Sequence, residues 1–259
     1  MSAAPPFTCT TCGACCHDHN LPLTLAEAER WLADGGQVIV LCEATLWNTE
    51  PAPDDAQARH RRRRSFAARC GEAGIRITAI LAAVNTGACR NLGPDQLCGI
   101  YERRPLVCRI YPAEINPFRA MDPSQKACPP EAWLAGPVLM SGLRILDAQV
   151  HEWVLQSRQA DEDDAARKRV LCELLGIDVA GLVGEAIAIH QPEAGVLLQA
   201  MKASGETGRA GRDDDHVPRW RLRPANAASA DRLAAERMVL VAVDAQDATH
   251  SLAALSAIR

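Results

Sequence analysis

The sequence predicts an α+β protein, mainly α: a small, irregular, cysteine-rich metal-binding domain with a few short strands, followed by a helical second half. Three observations carry this expectation. Eight of the eleven cysteines fall in two groups, Cys9 to Cys16 and Cys89 to Cys128. Two apolar runs in the same region, Gln37 to Leu46 (QVIVLCEATL) and Ile77 to Val84 (ITAILAAV), are rich in the β-branched residues that suit strands. From Glu131 onward the cysteines are no longer clustered, and Leu139, Leu143, Leu146, Val150 and Trp153 recur at three or four residues, the period of an amphipathic helix. The expected division is therefore residues 1–130 and 131–259, with a polar loop at about 205–224 in the second part.

The elements follow in order. Thr24 and Glu27 have capping-box spacing, so a short helix starts there, runs to about Leu32 and stops at Gly35-Gly36. Gln37 to Leu46 is a strand. Asn48 to about Arg64 is polar, carries Pro51 and Pro53, and reads as a loop in which the basic run His60 to Arg64 is solvated. Ser65 to Val84 is extended, with turns at Gly71 and Gly74, although helix competes with strand in ITAILAAV. Pro105 suits the first turn of a short helix, where a fixed φ helps and a missing N–H costs nothing, and Cys108 then lies on that turn. Beyond Glu131 the apolar stripe is a helix broken by Asp161 to Asp164. Further helices are expected over Ala165 to Leu175, Val179 to Ile189, Glu193 to Ala203 and Ala230 to Ile258, with MVLVAV inside the last competing as a strand.

Charge and composition exclude some partners. A net charge of -4 gives no basic footprint for nucleic acid. No apolar run reaches the span of a bilayer, and the start, MSAAPPFTC, lacks a basic segment followed by an apolar one. A cytoplasmic location is expected, where thiols stay reduced and clustered cysteines bind metal rather than pair as disulfides. Cys42, Cys70 and Cys172 stand outside the clusters and read as packed or surface thiols.

Chemistry concentrates in two stretches. Cys9, Cys12, Cys15 and Cys16 occupy the eight residues CTTCGACC, where Gly13 permits a tight turn that aims sulfurs at one point. Cys89, Cys98, Cys108 and Cys128 supply four more thiols about eighty residues later. Arg104 and Arg109 sit near Cys108, and guanidinium groups there would offset the negative charge of a thiolate-bound metal, or else form surface ion pairs.

The opening CxxCxxCC pattern and the second stretch, Cys98-Gly-Ile-Tyr101-Glu102-Arg-Arg104-Pro105-Leu-Val-Cys108-Arg109-Ile-Tyr111-Pro112, resemble the two signatures of the CxxCxxCC cysteine-cluster family, described as a zinc- or iron-chelating domain. The resemblance covers roughly residues 7 to 130. It implies metal binding and leaves the metal open.

Spacing bears on that choice. Cys9-x-x-Cys12-x-x-Cys15 matches the first three ligands of a bacterial ferredoxin run, but His19 stands at the fourth position and no proline follows, so a distant cysteine must complete a cluster, as in the 4Fe-4S type. Zinc would divide the eight thiols into two tetrahedral sites. Adjacent Cys15 and Cys16 are expected to diverge and not to share one ion, and His17 and His19 are substitute ligands. Haem attachment fails, because Cys15 is followed by Cys16 where C-x-x-C-H needs histidine. The expected function is an iron-sulfur protein with a redox or sensing role and a protein or redox partner; the alternative is a structural zinc module that binds a partner. The same signature resembles that of flagellin lysine methylases, which would imply an enzyme. No Rossmann fingerprint, phosphate loop or radical-cofactor cysteine spacing accompanies it, so a non-enzymatic protein is the favoured expectation.

Overall fold

Two long strands form the spine of the computed structural model, which describes residues 4–208 and 217–241. Ahead of them come β1 (Leu21–Leu23) and the helix α1 (Leu25–Ala33). The capping box forms as the spacing predicts: the Thr24 side chain accepts from Glu27 N, and the Glu27 carboxylate accepts from Thr24 N at 2.9 Å. Next come β2 (Val38–Leu46), α2 (Ala56–Arg63), β3 (Phe66–Cys70) and β4 (Ala73–Ala83). β2 and β4 pair antiparallel along their length, from Val38 opposite Ala83 to Leu46 opposite Ile75.

Each outer edge of this pair carries short strands. β1 and β3 share the free edge of β4, at Ala83 to Leu81 and at Ile77 to Ala73 respectively. After α3 (Leu106–Ile110) and the hairpin β5 (Met140–Ser141) and β6 (Arg144–Ile145) comes the long helix α4 (Ala148–Leu174). β7 (Val179–Leu182) and β8 (Ala188–His190) then occupy the free edge of β2, parallel and antiparallel to it. The helix α5 (Ala194–Gly208), β9 (Arg221–Arg223) and α6 (Ala227–Ala235) complete the order, β9 lying parallel to β7.

Alternation along the strands divides the burial. Val38, Val40, Cys42 and Ala44 of β2 and Ile75, Ile77, Ala79 and Leu81 of β4 face one core with Leu25, Trp31, Leu171, Leu197 and Met201 from the helices. A second core joins Phe7, Ile110, Ala113, Ala132, Leu139, Met140, Val150 and Val154. Helix α4 serves both, with Val150 and Val154 in the second core and Leu171 and Cys172 in the first. Its 27 residues span about 40 Å at 1.5 Å per residue, enough to tie the cysteine region to the sheet.

The α+β class holds, and several expected elements differ. Residues 56–63 are helix rather than loop, because Asp55 accepts from Ala58 N at 2.9 Å and caps α2. Gly71 is a turn at φ +60, but Gly74 lies inside β4, where a Cβ would come within 2.7 Å of Trp47 O. Leu139 and Leu146 belong to the β5–β6 hairpin region and share no helix with Val150. Asp161 to Asp164 do not break α4; Asp161 bonds the buried Lys168 at 2.9 Å and Asp164 accepts from Leu25 N at 2.8 Å, so the acidic run is neutralised by what packs on it. The segment Val179 to Ile189 is two strands, not a helix, since its apolar residues pair with the edge of β2. Helix α5 extends four residues into the expected polar loop, and β9 lies near the far end of that loop. The helix expected at 230–258 is observed as α6 only to Ala235; Leu240 bridges Leu222, and the expectation beyond 241 lies outside the described residues.

Candidate metal centre

The first cysteine segment is pinned at both ends by backbone bonds. On one side Phe7 N donates to Pro137 O and Thr8 N to Ala132 O, both at 2.9 Å, while the Phe7 and Trp133 rings pack tilted at 52° with centroids 5.0 Å apart. On the other, Cys89 N donates to Cys16 O at 2.6 Å and Asp18 N to Gly87 O at 2.8 Å. The two cysteine groups are therefore stitched together directly, at Cys16 and Cys89.

Between these anchors the chain makes a 3-10 turn, Ala14–Cys16, entered through Gly13 at φ +72. A side chain at Gly13 would strain that left-handed backbone and would lie 3.0 Å from Gln96 Oε1 and 3.3 Å from Gln96 O, so glycine lets the first loop rest on the second. Thr11 at φ 54 and Gln96 at φ 64 are also left-handed, an unfavourable conformation for a β-branched residue such as threonine.

In the second group, Leu92 bridges Cys98, and Gly99 N donates to Asn91 O at 2.8 Å, closing the Cys89–Cys98 loop. Cys108 sits on α3, whose N-cap is Pro105, one residue ahead of the first-turn position the sequence suggested. Leu106 N at the start of that helix donates to Glu27 Oε1 at 2.7 Å. Cys128 is held by Tyr111, whose hydroxyl donates to the Cys128 sulfur and accepts from Ala127 N at 2.6 Å.

All eight cysteines, Cys9, Cys12, Cys15, Cys16, Cys89, Cys98, Cys108 and Cys128, line one cavity of about 1060 Å³. Cys9, Cys12 and Cys15 are exposed, Cys89 is buried and the other four lie between. Cys42, Cys70 and Cys172 are buried elsewhere as free thiols: Cys42 and Cys172 pack in the sheet core, and the Cys70 thiol donates to Val239 O at 3.3 Å. His19 lines the cavity; His17 Nδ1 bonds Gly13 O at 3.1 Å within the first loop.

The thiols influence one another's ionisation. The neighbouring thiol of Cys16 lowers Cys15 to about 7, and Cys15 in turn raises Cys16. Burial pushes Cys108 up to about 12, reinforced by the charges of Cys15, Cys89 and Cys98. Burial also raises Cys128 to about 11, the Tyr111 hydrogen bond opposing it and Cys15, Cys12 and Cys9 adding to it. The physical content is one crowded set of potential negative charges, which only a cation can let ionise together.

The two arginines behave differently. Arg104 lowers the thiols of Cys15 and Cys108, stacks at 3.7 Å on the Tyr101 ring, and its buried Nε has no hydrogen-bond partner. Arg109 lines the same cavity but its guanidinium donates to Arg104 O at 2.8 Å and Glu102 O at 2.7 Å, which fixes the loop before α3.

Among the described residues, no three histidine, cysteine, aspartate or glutamate side chains stand together as a ready-made metal site. The donor set nonetheless fits a thiophilic cation: soft sulfur donors from two loops, crowded until their charges oppose one another, with Arg104 beside them. Two residues with parts to play carried no role in the sequence reading. Tyr111 stands inside the second signature without a ligand's chemistry, and Glu27 is recognisable from sequence only as a capping residue.

Residues 8–129 match the family profile described as "CxxCxxCC: Putative zinc- or iron-chelating domain". Comparison with curated proteins and with solved structures finds no match. The matched span contains both cysteine groups, Cys9 to Cys16 and Cys89 to Cys128.

Proposed function

We propose that the chain is a metal-binding protein in which Cys9, Cys12 and Cys15, with one thiol of the second group, hold an iron-sulfur cluster of the 4Fe-4S type in a redox or sensing role. The observation that carries this reading is that all eight cysteines line a single cavity although about eighty residues separate the groups. When bound, such a cluster supplies one-electron redox chemistry.

The chain's own residues do the rest. Cys9 and Cys12 lie on the exposed part of the first loop, while Cys89 and Cys108 stand on segments fixed by Cys16 and Glu27. Tyr111 donates to Cys128 and orients it, as hydrogen bonds around a metal's ligands do. Arg104 offsets negative charge at Cys15 and Cys108, and that need grows on reduction. Electron exchange would involve a protein partner meeting the exposed loop of Cys9 to Cys15. No nucleic-acid or membrane role is part of this reading, and among the described residues no helix is long and apolar enough to cross a membrane.

The second reading is structural zinc, favoured by the division of eight thiols into two groups of four. Iron, acid-labile sulfide and zinc analysis of anaerobically purified protein separates the two. Iron and sulfide in comparable amounts support the cluster; zinc alone, with no sulfide, supports the structural site.

A further inference from the structure

The cavity that the cysteines line is larger than the centre itself requires. At about 1060 Å³ it falls at the upper end of small-molecule pockets, roughly 300–1,000 Å³. Its wall away from the thiols is built by α2, which contributes His60, Arg61 and Arg64, by Asp161 of α4 and by Phe118.

At this end the charged groups that act most strongly on His60 are mainly cationic. Around His60 three guanidinium groups, Arg64, Arg158 and Arg61, face one carboxylate, Asp161. That carboxylate is already shared, by Lys168 at 2.9 Å and by Arg64 Nη2 at 3.3 Å. His60 Nε2 and Arg64 Nε are both buried with no hydrogen-bond partner. Basic residues at the end of α2 complement its dipole, which accounts for their charge but not for the two orphaned nitrogens. A buried donor left unpaired costs about 1–3 kcal/mol, so two on one wall need an explanation. The other side of the wall is apolar: Phe118 packs edge-on against His60 at 5.8 Å.

We propose that His60, Arg61 and Arg64 form an oxyanion site in this cavity, and that its ligand is a small molecule with a phosphate or carboxylate group and an apolar body against Phe118. An oxyanion there accepts from Arg64 Nε and from His60 Nε2, protonated either as the neutral tautomer or as the cation. It also offsets the excess guanidinium charge. Arg61 is exposed at the mouth and attracts the anion before it is desolvated. The site does not depend on which metal the thiols hold.

Phenyl phosphate and benzoate are suitable probes, with benzyl alcohol as the neutral control, titrated calorimetrically into the full chain at constant ionic strength. Saturable binding of at least one anion is expected, and whichever binds tighter identifies the oxyanion class. Arg61→Gln and Arg64→Gln should each weaken it at least tenfold, whereas Arg221→Gln, whose residue pairs with Asp178 on the far edge of the sheet, should not. Because Arg64 also pairs with Asp161 and its variant can fail to fold, Arg61→Gln carries the decision in that case. Absence of saturable binding by both anions, equal binding of benzyl alcohol, or unaltered affinity in Arg61→Gln would overturn the proposal.

Discussion

The carboxylate of Glu27 accepts from Leu106 N at 2.7 Å and from Thr24 N at 2.9 Å, so one nearly buried side chain caps both α1 and the short helix that carries Cys108. A five-residue helix has little stability of its own, and its orientation rests on this contact and on Ile110 in the second core. Glu27→Ala should cost about 2 kcal/mol in urea unfolding, since two N–H groups lose their acceptor. It should also weaken metal retention. An unfolding midpoint equal to that of the unaltered protein would show that the cap does not hold α3.

Tyr111 supports Cys128 without being a thiol. Tyr111→Phe removes both the bond to the sulfur and the acceptor for Ala127 N. Loss of a partner of this kind typically lowers metal affinity by about 10–100-fold, so competition with a chelator should show at least a tenfold loss. The fold itself should persist, because the ring remains.

The two cores predict how the protein responds to metal removal. The cysteine loops hold their shape through backbone bonds and, on this account, through metal, whereas α1, the second half of α4 and α5 pack on the sheet. Chelation should increase proteolytic cleavage within residues 9–16 and 89–128 while far-ultraviolet circular dichroism keeps most of its helical signal. Collapse of the helical signal would place the metal at the base of the whole fold.

His60 gives a pH dependence with a definite sign. Burial, followed by the charges of Arg64 and Arg158, lowers its imidazole to about 4, against about 6.5 in an unfolded chain. The unfolded state then binds a proton that the folded state refuses. Stability is complete above about pH 6.5 and falls as pH drops towards 4. Urea unfolding at about pH 7.5 and about pH 5 should show a smaller loss in His60→Gln than in the unaltered protein. An identical loss in both would assign the acid sensitivity to other groups.

Much of this was legible in the sequence where one local rule decided the outcome. The Thr24–Glu27 capping box, the strand Val38–Leu46 and the extended run to Ala83 follow from capping chemistry and β-branched content. The two signatures suggested that the cysteine groups belong together, and all eight cysteines line one cavity. Tertiary partners decided what local rules could not. Leu139 to Leu146 has helical spacing, but it folds as a hairpin in which Leu139 and Met140 join Phe7 and Ile110 while Leu143 and Leu146 stay exposed. Asp161 to Asp164 looks like a breaker until Lys168 and Leu25 N are seen to satisfy it. The second bond of Glu27, to Leu106, spans 79 residues and has no local sequence signal.

The central claim is that the cysteines hold a redox-active iron-sulfur cluster. The visible spectrum of protein purified without oxygen, after expression with iron and sulfide supplied, tests it most directly. A brown protein is predicted, with broad visible absorption that bleaches with dithionite, that is lost in Cys12→Ser and that survives in Cys172→Ser, whose residue lies in the sheet core. A colourless protein containing only stoichiometric zinc would contradict the claim and leave the structural zinc site in its place.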